Sequence, residues 1–474
     1  MSLLLLLAVP LAGVVAVSCD PRRARRLVWL ALAALAHLVL LGFAWGGRLR
    51  DSRVLWLGFD PLGGLVLTLV SVVFLAVAGH SAVYLQRRVP RGGRAYEACL
   101  LGFLTSASAL CLTDHFGVLW VAMEATTLAT APLIYDPGDR HSIEAVWKYL
   151  VICSVGIALA LLGTFLLALA QGANAPDLLR SSLVAARALE PMWFKAAFVF
   201  LFIGYGTKVG LVPMHTWLPD AHGEAPSPIS ALLSGALLNL AFLAILRVVQ
   251  VARAAGQQRL LAPVLIGFGL GSVLVATALL LRQRNYKRML AYSSVEHMGI
   301  LTVGIGLGQA AGFGALLHML GAALAKALLF LVAGNVLIEY RSKRIGDVTG
   351  LLERLPISGA LLVAGFFVLA GAPPFPLFFS ELAILRGAIQ AGAPWVAAGL
   401  VLLQLVAFIG LGVRIVSMVQ GGSAPGESRA NESALLLASP VVLLGAALAL
   451  GLGLIPSLQN VLLAAAATLG GSAP

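Results

Sequence analysis

Charge is what this sequence has least of. Only 11% of its 474 residues are charged, 20 acids against 32 lysines and arginines. Soluble domains carry about 25% charged residues. Here 60% are hydrophobic and mean hydropathy is +0.96, so the soluble class is excluded. Cysteine is scarce as well. Cys19, Cys99, Cys111 and Cys153 have no metal-ligand spacing, and three lie in or beside apolar runs, so buried small side chains are expected. Neither a nucleotide loop, a haem signature nor an iron–sulfur spacing occurs, so no cofactor, metal or catalytic redox site is expected in this chain. The formal charge of +12 invites a nucleic-acid partner. The basic residues, however, cluster in short links between apolar runs with no RNA- or DNA-binding pattern nearby, as topology determinants do. No basic segment precedes the first apolar run, 2–18, whose arginines follow it. It reads as a retained span, not a cleaved signal peptide.

What is abundant is apolar runs of 18 residues or more, recurring from end to end, which predict an all-α polytopic membrane protein. A β-barrel would show short alternating strands instead. The 51 glycines and 22 prolines suit closely packed, locally broken helices. Fourteen spans are expected: 2–18, 27–46, 59–85, 96–112, 115–134, 143–170, 192–213, 226–249, 260–281, 290–307, 310–337, 357–386, 393–418 and 435–455, with an apolar tail. A link through Pro176 and Pro191 precedes the seventh. The densest basic links are Arg22–Arg26, Arg87–Arg94 (with Arg91) and Arg282–Arg288. They fall on one side, which the positive-inside rule makes cytoplasmic, placing both termini outside. The Arg253–Arg259 link opposes that orientation. A Pro-broken seventh span in spans four to eight matches a Pro-broken twelfth in spans nine to thirteen, an arrangement of inverted repeats. The expected units are 1–90, a first five-helix repeat at 94–250, a second at 255–420, and a last helix with its tail at 430–474.

The stretch Lys208 to Pro228 holds a lysine, two histidines, two acids and four prolines between spans seven and eight. Prolines such as Pro213 and Pro219 break helices and free backbone carbonyls. Ionisable groups at membrane depth are tolerated in a protein interior or a wet cavity. Both features together predict an ion route containing Lys208, His222 and Glu224. For Asp220 to Glu224, an ordinary loop facing water stays open as a reading.

Other polar residues interrupt the apolar runs. Glu124 lies well inside span five, and a carboxylate near a lysine is a tunable proton site, with Lys208 the natural partner. The alternative is a glutamate bonded for packing alone. Glu296 and His297 sit early in span ten. His318 and Lys326 share span eleven, eight residues apart, or about 12 Å along one helix face, a spacing suited to a water-linked relay. Glu381 follows Pro373-Pro374-Phe375-Pro376, which must interrupt span twelve. Arg414 is expected to reach the surface.

The segments Lys208–Pro228, Leu290–Gly299, Leu317–Phe330, Gly371–Phe375 and Ser380-Glu381 resemble the antiporter-like subunits of respiratory complex I and of membrane-bound hydrogenases, over about residues 55–420. The resemblance implies fourteen helices, two inverted five-helix repeats and discontinuous helices seven and twelve. It also implies a proton-moving subunit (Na⁺ being the other candidate ion) of an oxidoreductase complex, with no redox active site of its own. Partners would be other hydrophobic subunits and, through them, a peripheral arm holding iron–sulfur clusters, a nickel–iron centre or flavin. Glu124 matches the family's carboxylate of helix five, Lys208 the lysine of helix seven, Lys326 the lysine of helix eleven and Glu381 the channel group of helix twelve. Asn239 stands where a lysine is usual, Glu296-His297 where small or amide residues are usual, and Ala322 where a second histidine often occurs. Asn239 and Glu296-His297 resemble component F of the hydrogenase-4 and formate hydrogenlyase group. Other readings are the membrane subunit of an inorganic carbon uptake system or cation/proton antiporter, and a structural subunit that does not conduct.

Overall fold

Runs this apolar leave the backbone one open-ended way to satisfy its hydrogen bonds in lipid, and the chain is helical accordingly. The computed structural model describes residues 1–88, 93–136, 139–172, 178–186, 189–421 and 429–470. Arg91 and Pro176 lie outside the described residues. Among the described residues eleven helices are long and apolar enough to cross a membrane, and Leu5–Cys19 and Pro356–Leu369 are shorter apolar helices. The fold is an all-α polytopic membrane protein.

Helices α1 (Leu5–Cys19), α2 (Arg23–Trp45), α3 (Pro61–Arg88) and α4 (Arg94–Leu112) pack together. Next come α5 (Phe116–Ile134), α6 (His141–Gln171), the short α7 (Arg180–Ala186) and α8 (Pro191–Val209). After a break the chain resumes as α9 (Trp217–Glu224) and α10 (Ser227–Leu232), which runs through a π segment, Leu233–Leu237, into α11 (Leu238–Ala254). There follow α12 (Gln258–Leu280), α13 (Tyr286–Gly306), α14 (Gln309–Tyr340) and the single-turn α15 (Leu351–Arg354). The last group is α16 (Pro356–Leu369), α17 (Pro376–Gln390), α18 (Pro394–Val419), α19 (Ala434–Gly451) and α20 (Pro456–Thr468).

The two breaks have local causes. Gly210 caps α8 in the left-handed region at φ +82°, which glycine adopts without strain, and Pro213 lies in the gap that follows. Pro219 does not break a helix: it sits in the first turn of α9, where a missing N–H leaves no bond unmade. Gly371 turns the chain at φ +66° after α16, Pro373 and Pro374 occupy the gap, and Pro376 opens α17.

Two helical stretches form the centre. The apolar windows of Ser227–Ala254 and Ala311–Tyr340 are 100% buried, against 28% for Ala434–Gly451, so these two are enclosed by protein and the others ring them. The outer helix α6 presents Trp147, Val151, Val155 and Phe165 outward, as a lipid-facing surface requires.

Some expected details change. Helix α2 starts at Arg23 rather than 27, so Arg26 lies in its first turn, buried 3.6 Å from Glu97 of α4. The tail forms a helix, α20, that packs on α3 and α14. Cys111 and Cys153 are buried as expected, but Cys19 is exposed at the end of α1.

Candidate functional site

Lys208 reaches inward from the last turn of α8 and is fully buried. Its Nζ donates to Thr127 Oγ1 on α5 and Tyr149 Oη on α6, each at 2.7 Å, and stands 4.6 Å from the Tyr149 ring centre. An ammonium surrounded by hydroxyls and an aromatic face is satisfied without a direct counter-charge. Glu124 is only partly buried, and among the described residues it makes no ion pair with Lys208. Thr127 stands between the two: its hydroxyl lies 3.3 Å from Glu124 Oε2, while Ser154 Oγ lies 3.3 Å from Oε1. The carboxylate and the lysine are therefore joined through a hydroxyl able to accept from one and donate to the other. A second branch runs from Tyr149 Oη to Thr130 Oγ1, 2.6 Å away.

Lys326, on α14, is 2% exposed. Its Nζ donates to the Leu290 carbonyl at 3.2 Å and to Ser293 Oγ, both on α13. One turn further along α13, His297 Nδ1 meets His318 Nε2 of α14 at 3.0 Å. His318 Nδ1 in turn faces Ser380 Oγ of α17 at 3.1 Å. Glu381 brings one carboxylate oxygen to within 4.8 Å of a ring nitrogen on each histidine. Glu296, 4% exposed, lies within electrostatic reach of Lys326 and Glu381. The structure thus brings Glu296, His297, His318, Lys326 and Glu381 into one cluster across α13, α14 and α17.

Between the two lysines runs an aromatic file: Tyr149 and Trp217 with ring centres 5.1 Å apart, Trp217 and His222 at 6.0 Å, His222 and Phe330 at 5.9 Å. His222 is fully buried with Nδ1 on the Leu218 carbonyl at 2.9 Å, while among the described residues its Nε2 has no partner. Asn239, in the first turn of α11, donates to the Gly235 carbonyl at 2.9 Å and among the described residues leaves Oδ1 without a partner. Ala322 is buried on α14.

Glu224 lies elsewhere. Lys343 Nζ contacts both Glu224, at 2.5 Å, and Asp139, at 2.7 Å, in the links that close one end of the bundle. Beside it Asp220 pairs with Lys148 at 2.9 Å and Arg288 at 2.8 Å. Burial alone would raise the Asp139 carboxyl, but the hydrogen bond and charge of Lys343 hold it down at about 2. Burial likewise works against the Lys343 ammonium, and Glu224 with Asp139 carries it above the ordinary lysine range.

Sequence reasoning missed Thr127, Tyr149, Ser293 and Ser380, which supply the acceptors. Thr127 had a signal, lying three residues after Glu124 on the same helical face. Lys287, read as part of a basic link, is fully buried with Nζ on the Ala225 carbonyl at 2.5 Å. Arg253 is also buried, donating to the Leu469 carbonyl at 2.5 Å and the Ile305 carbonyl at 2.6 Å. Arg414 Nη2 donates to the Leu281 carbonyl.

Comparison with known proteins places the whole arrangement. The family described as NADH:quinone oxidoreductase/Mrp antiporter, transmembrane, matches residues 113–407. A hydrogenase-4 component F homolog of Methylacidiphilum infernorum is 40% identical over 344 residues, covering 71% of this chain and 70% of the relative. An NADH-quinone oxidoreductase subunit N of Desulforudis audaxviator is 33% identical over 369 residues, 77% of this chain and 73% of that one. Among solved structures, a chain of an archaeal membrane-bound sulfane sulfur reductase superposes with a TM-score of 0.89 at 23% identity, over 99% of this chain and 97% of that one. A chain of the Mrp complex from Dietzia sp. gives 0.88 at 22% identity, over 99% and 97%. With its buried lysines, broken helices and this match over most of its length, the chain belongs to the NADH:quinone oxidoreductase/Mrp antiporter family of membrane subunits.

Proposed function

We propose that this chain moves protons as one membrane subunit of a multisubunit redox complex of hydrogenase-4-like or NADH dehydrogenase-like type, driven by electron transfer in partner subunits. The observation that carries the reading is the Lys208–Thr127–Glu124 chain, a buried ammonium joined to a carboxylate through one hydroxyl. A proton arriving at Glu124 removes the charge facing the ammonium, and the lysine proton can then leave toward the centre. Among the described residues His222 Nε2 and Asn239 Oδ1 are buried without protein partners, and His222 stands beside Phe330 of α14, the helix that carries Lys326. Water commonly serves such atoms. Lys326, His297, His318 and Glu381 then continue the path toward α17.

Counting α8 with α9, α10 with α11, and α16 with α17 as single crossings, and leaving out the short α7 and α15 and the tail helix α20, gives fourteen, grouped as 1–90, 94–250, 255–420 and 430–474. Two inverted five-helix repeats are supported by the paired breaks at Gly210 and Gly371. They are also supported by glycines seven residues apart, Gly156 and Gly163 on α6 against α8, and Gly314 and Gly321 on α14 against α17. In each case an added Cβ would fall within 3.0 Å of the broken helix. An orientation with both termini extracytoplasmic agrees with the exposed Arg22, Arg25, Arg282 and Arg284. The burial of Arg253 removes an opposing charge from the count.

The test is proton uptake by vesicles holding the intact complex, with Lys326→Ala and Lys326→Arg. Both are expected to impair translocation with assembly preserved, because arginine keeps the charge and does not release its proton at any accessible pH. Normal pumping by the arginine variant would show that charge alone suffices.

A further inference from the structure

His297, His318 and Glu381 are more than stations for a proton. Their side chains converge from α13, α14 and α17, and one ligand atom of each lies within 4.8 Å of the other two. We propose that these three residues form a binding site for a divalent first-row transition ion, zinc above all.

The donor set is two imidazoles and a carboxylate, which suits zinc and its neighbours and is unlike the all-oxygen sets of magnesium or calcium. Metal–nitrogen bonds of about 2 Å in a tetrahedral site set ligand atoms about 3.3 Å apart. The two histidine nitrogens already stand at 3.0 Å. Only the carboxylate has to close in, and the partly exposed Glu381 exchanges its hydrogen bond with Gln404 for the metal. A fourth position is left for water.

The surroundings orient the ligands. Ser380 Oγ lies 2.8 Å from the Leu377 carbonyl, which can only accept, so the hydroxyl proton is used there. Its lone pair then accepts from His318 Nδ1–H at 3.1 Å, which leaves His318 Nε2 unprotonated and aimed at His297. A ligating histidine held through its other nitrogen is the usual second-layer support of a metal site. In the metal-free protein the His297 Nδ1–H fills the gap as a donor. The metal takes that place and His297 moves its proton to Nε2. Metal binding needs only these side chains, so its test does not depend on whether the chain moves protons; an occupied site would close the path through His297, His318 and Glu381.

The experiment is zinc retention by the purified intact complex after dialysis, with Co²⁺ as an optical probe and X-ray absorption at the zinc edge. Zinc held by other subunits is common to all preparations and cancels in the difference. The wild type is expected to hold one equivalent more than His318→Gln, with nitrogen and oxygen neighbours and the visible bands of four-coordinate cobalt. Ser380→Ala, which keeps all three ligands, is expected to weaken binding by about tenfold or more. His80→Gln, a buried histidine bonded to Asn335 outside the trio, should change nothing. If His318→Gln fails to assemble, Glu381→Gln takes its place in the same comparison. Equal zinc content in the wild type and the ligand variants, or no cobalt bands in the wild type, would overturn the site.

Discussion

Replacing Thr127 by valine preserves side-chain volume and both charged groups and removes only the hydroxyl between them. Among the described residues Lys208 then keeps Tyr149 as its one remaining acceptor, since its Nζ bonds there to Thr127 and Tyr149. A hydrogen bond to a charged group contributes about 1.5–3 kcal/mol, so Thr127→Val is expected to lower the stability of the complex by about that much. The transport effect should be larger than such a loss suggests. Among the described residues the proton chain between Glu124 and Lys208 has a single bridge, with contacts of 3.3 and 2.7 Å. Interrupting it is expected to slow translocation by at least about tenfold, an added barrier of roughly 1.4 kcal/mol. Thr127→Ser restores the hydroxyl and should recover most of the rate. The assay is proton uptake per electron transferred in vesicles containing the assembled complex, alongside thermal melting of the same preparation. Wild-type pumping by an assembled Thr127→Val complex would refute the hydroxyl bridge and with it the coupling of the two groups.

Glu124→Gln, Lys208→Met and their double variant form a cycle. The contacts of 3.3 and 2.7 Å through Thr127 hold the two charges within about 6 Å, where they interact by roughly 3 kcal/mol at an effective dielectric of 20, and partial exposure of Glu124 should reduce the measured coupling to about 1–2 kcal/mol. Melting of the three intact complexes measures it, and additive losses would mean that the groups do not interact. Lys343→Met leaves Asp139 and Glu224 facing one another without their shared cation, and is expected to cost about 1–3 kcal/mol, between exposed and buried pairs. Asp139 is held at about 2, below its ordinary value, so its contribution is present near neutral pH and lost as pH falls from about 4 through 2. Melting temperatures followed from pH 7 downward should show that loss in the wild type, and a flatter profile in Lys343→Met.

Several features were legible in the residues alone because their causes are local. The length of an apolar run sets whether a helix can cross a bilayer. Proline disfavours a helix interior, and the gaps after Gly210 and Gly371 fall within the stretches that contain Pro213, Pro373 and Pro374, although Pro132 and Pro440 lie inside α5 and α19. A lysine flanked by apolar residues on both sides, as Lys208 and Lys326 are, has nowhere to go but inward. What the tertiary structure alone decided is which face of each helix meets which neighbour. In a helix that is apolar all round, periodicity carries no record of that rotation. Thr127 thus came to stand between Glu124 and Lys208, which lie 84 positions apart in the chain. The same applies to His297, whose partners His318 and Ser380 lie on two other helices. Lys287 and Arg253 sat in basic links by sequence yet are enclosed, because α9 and α20 cover those helix ends and offer carbonyls to the charges. Hydropathy fixes depth in the membrane, but only packing fixes the azimuth of a side chain, and proton transfer depends on both.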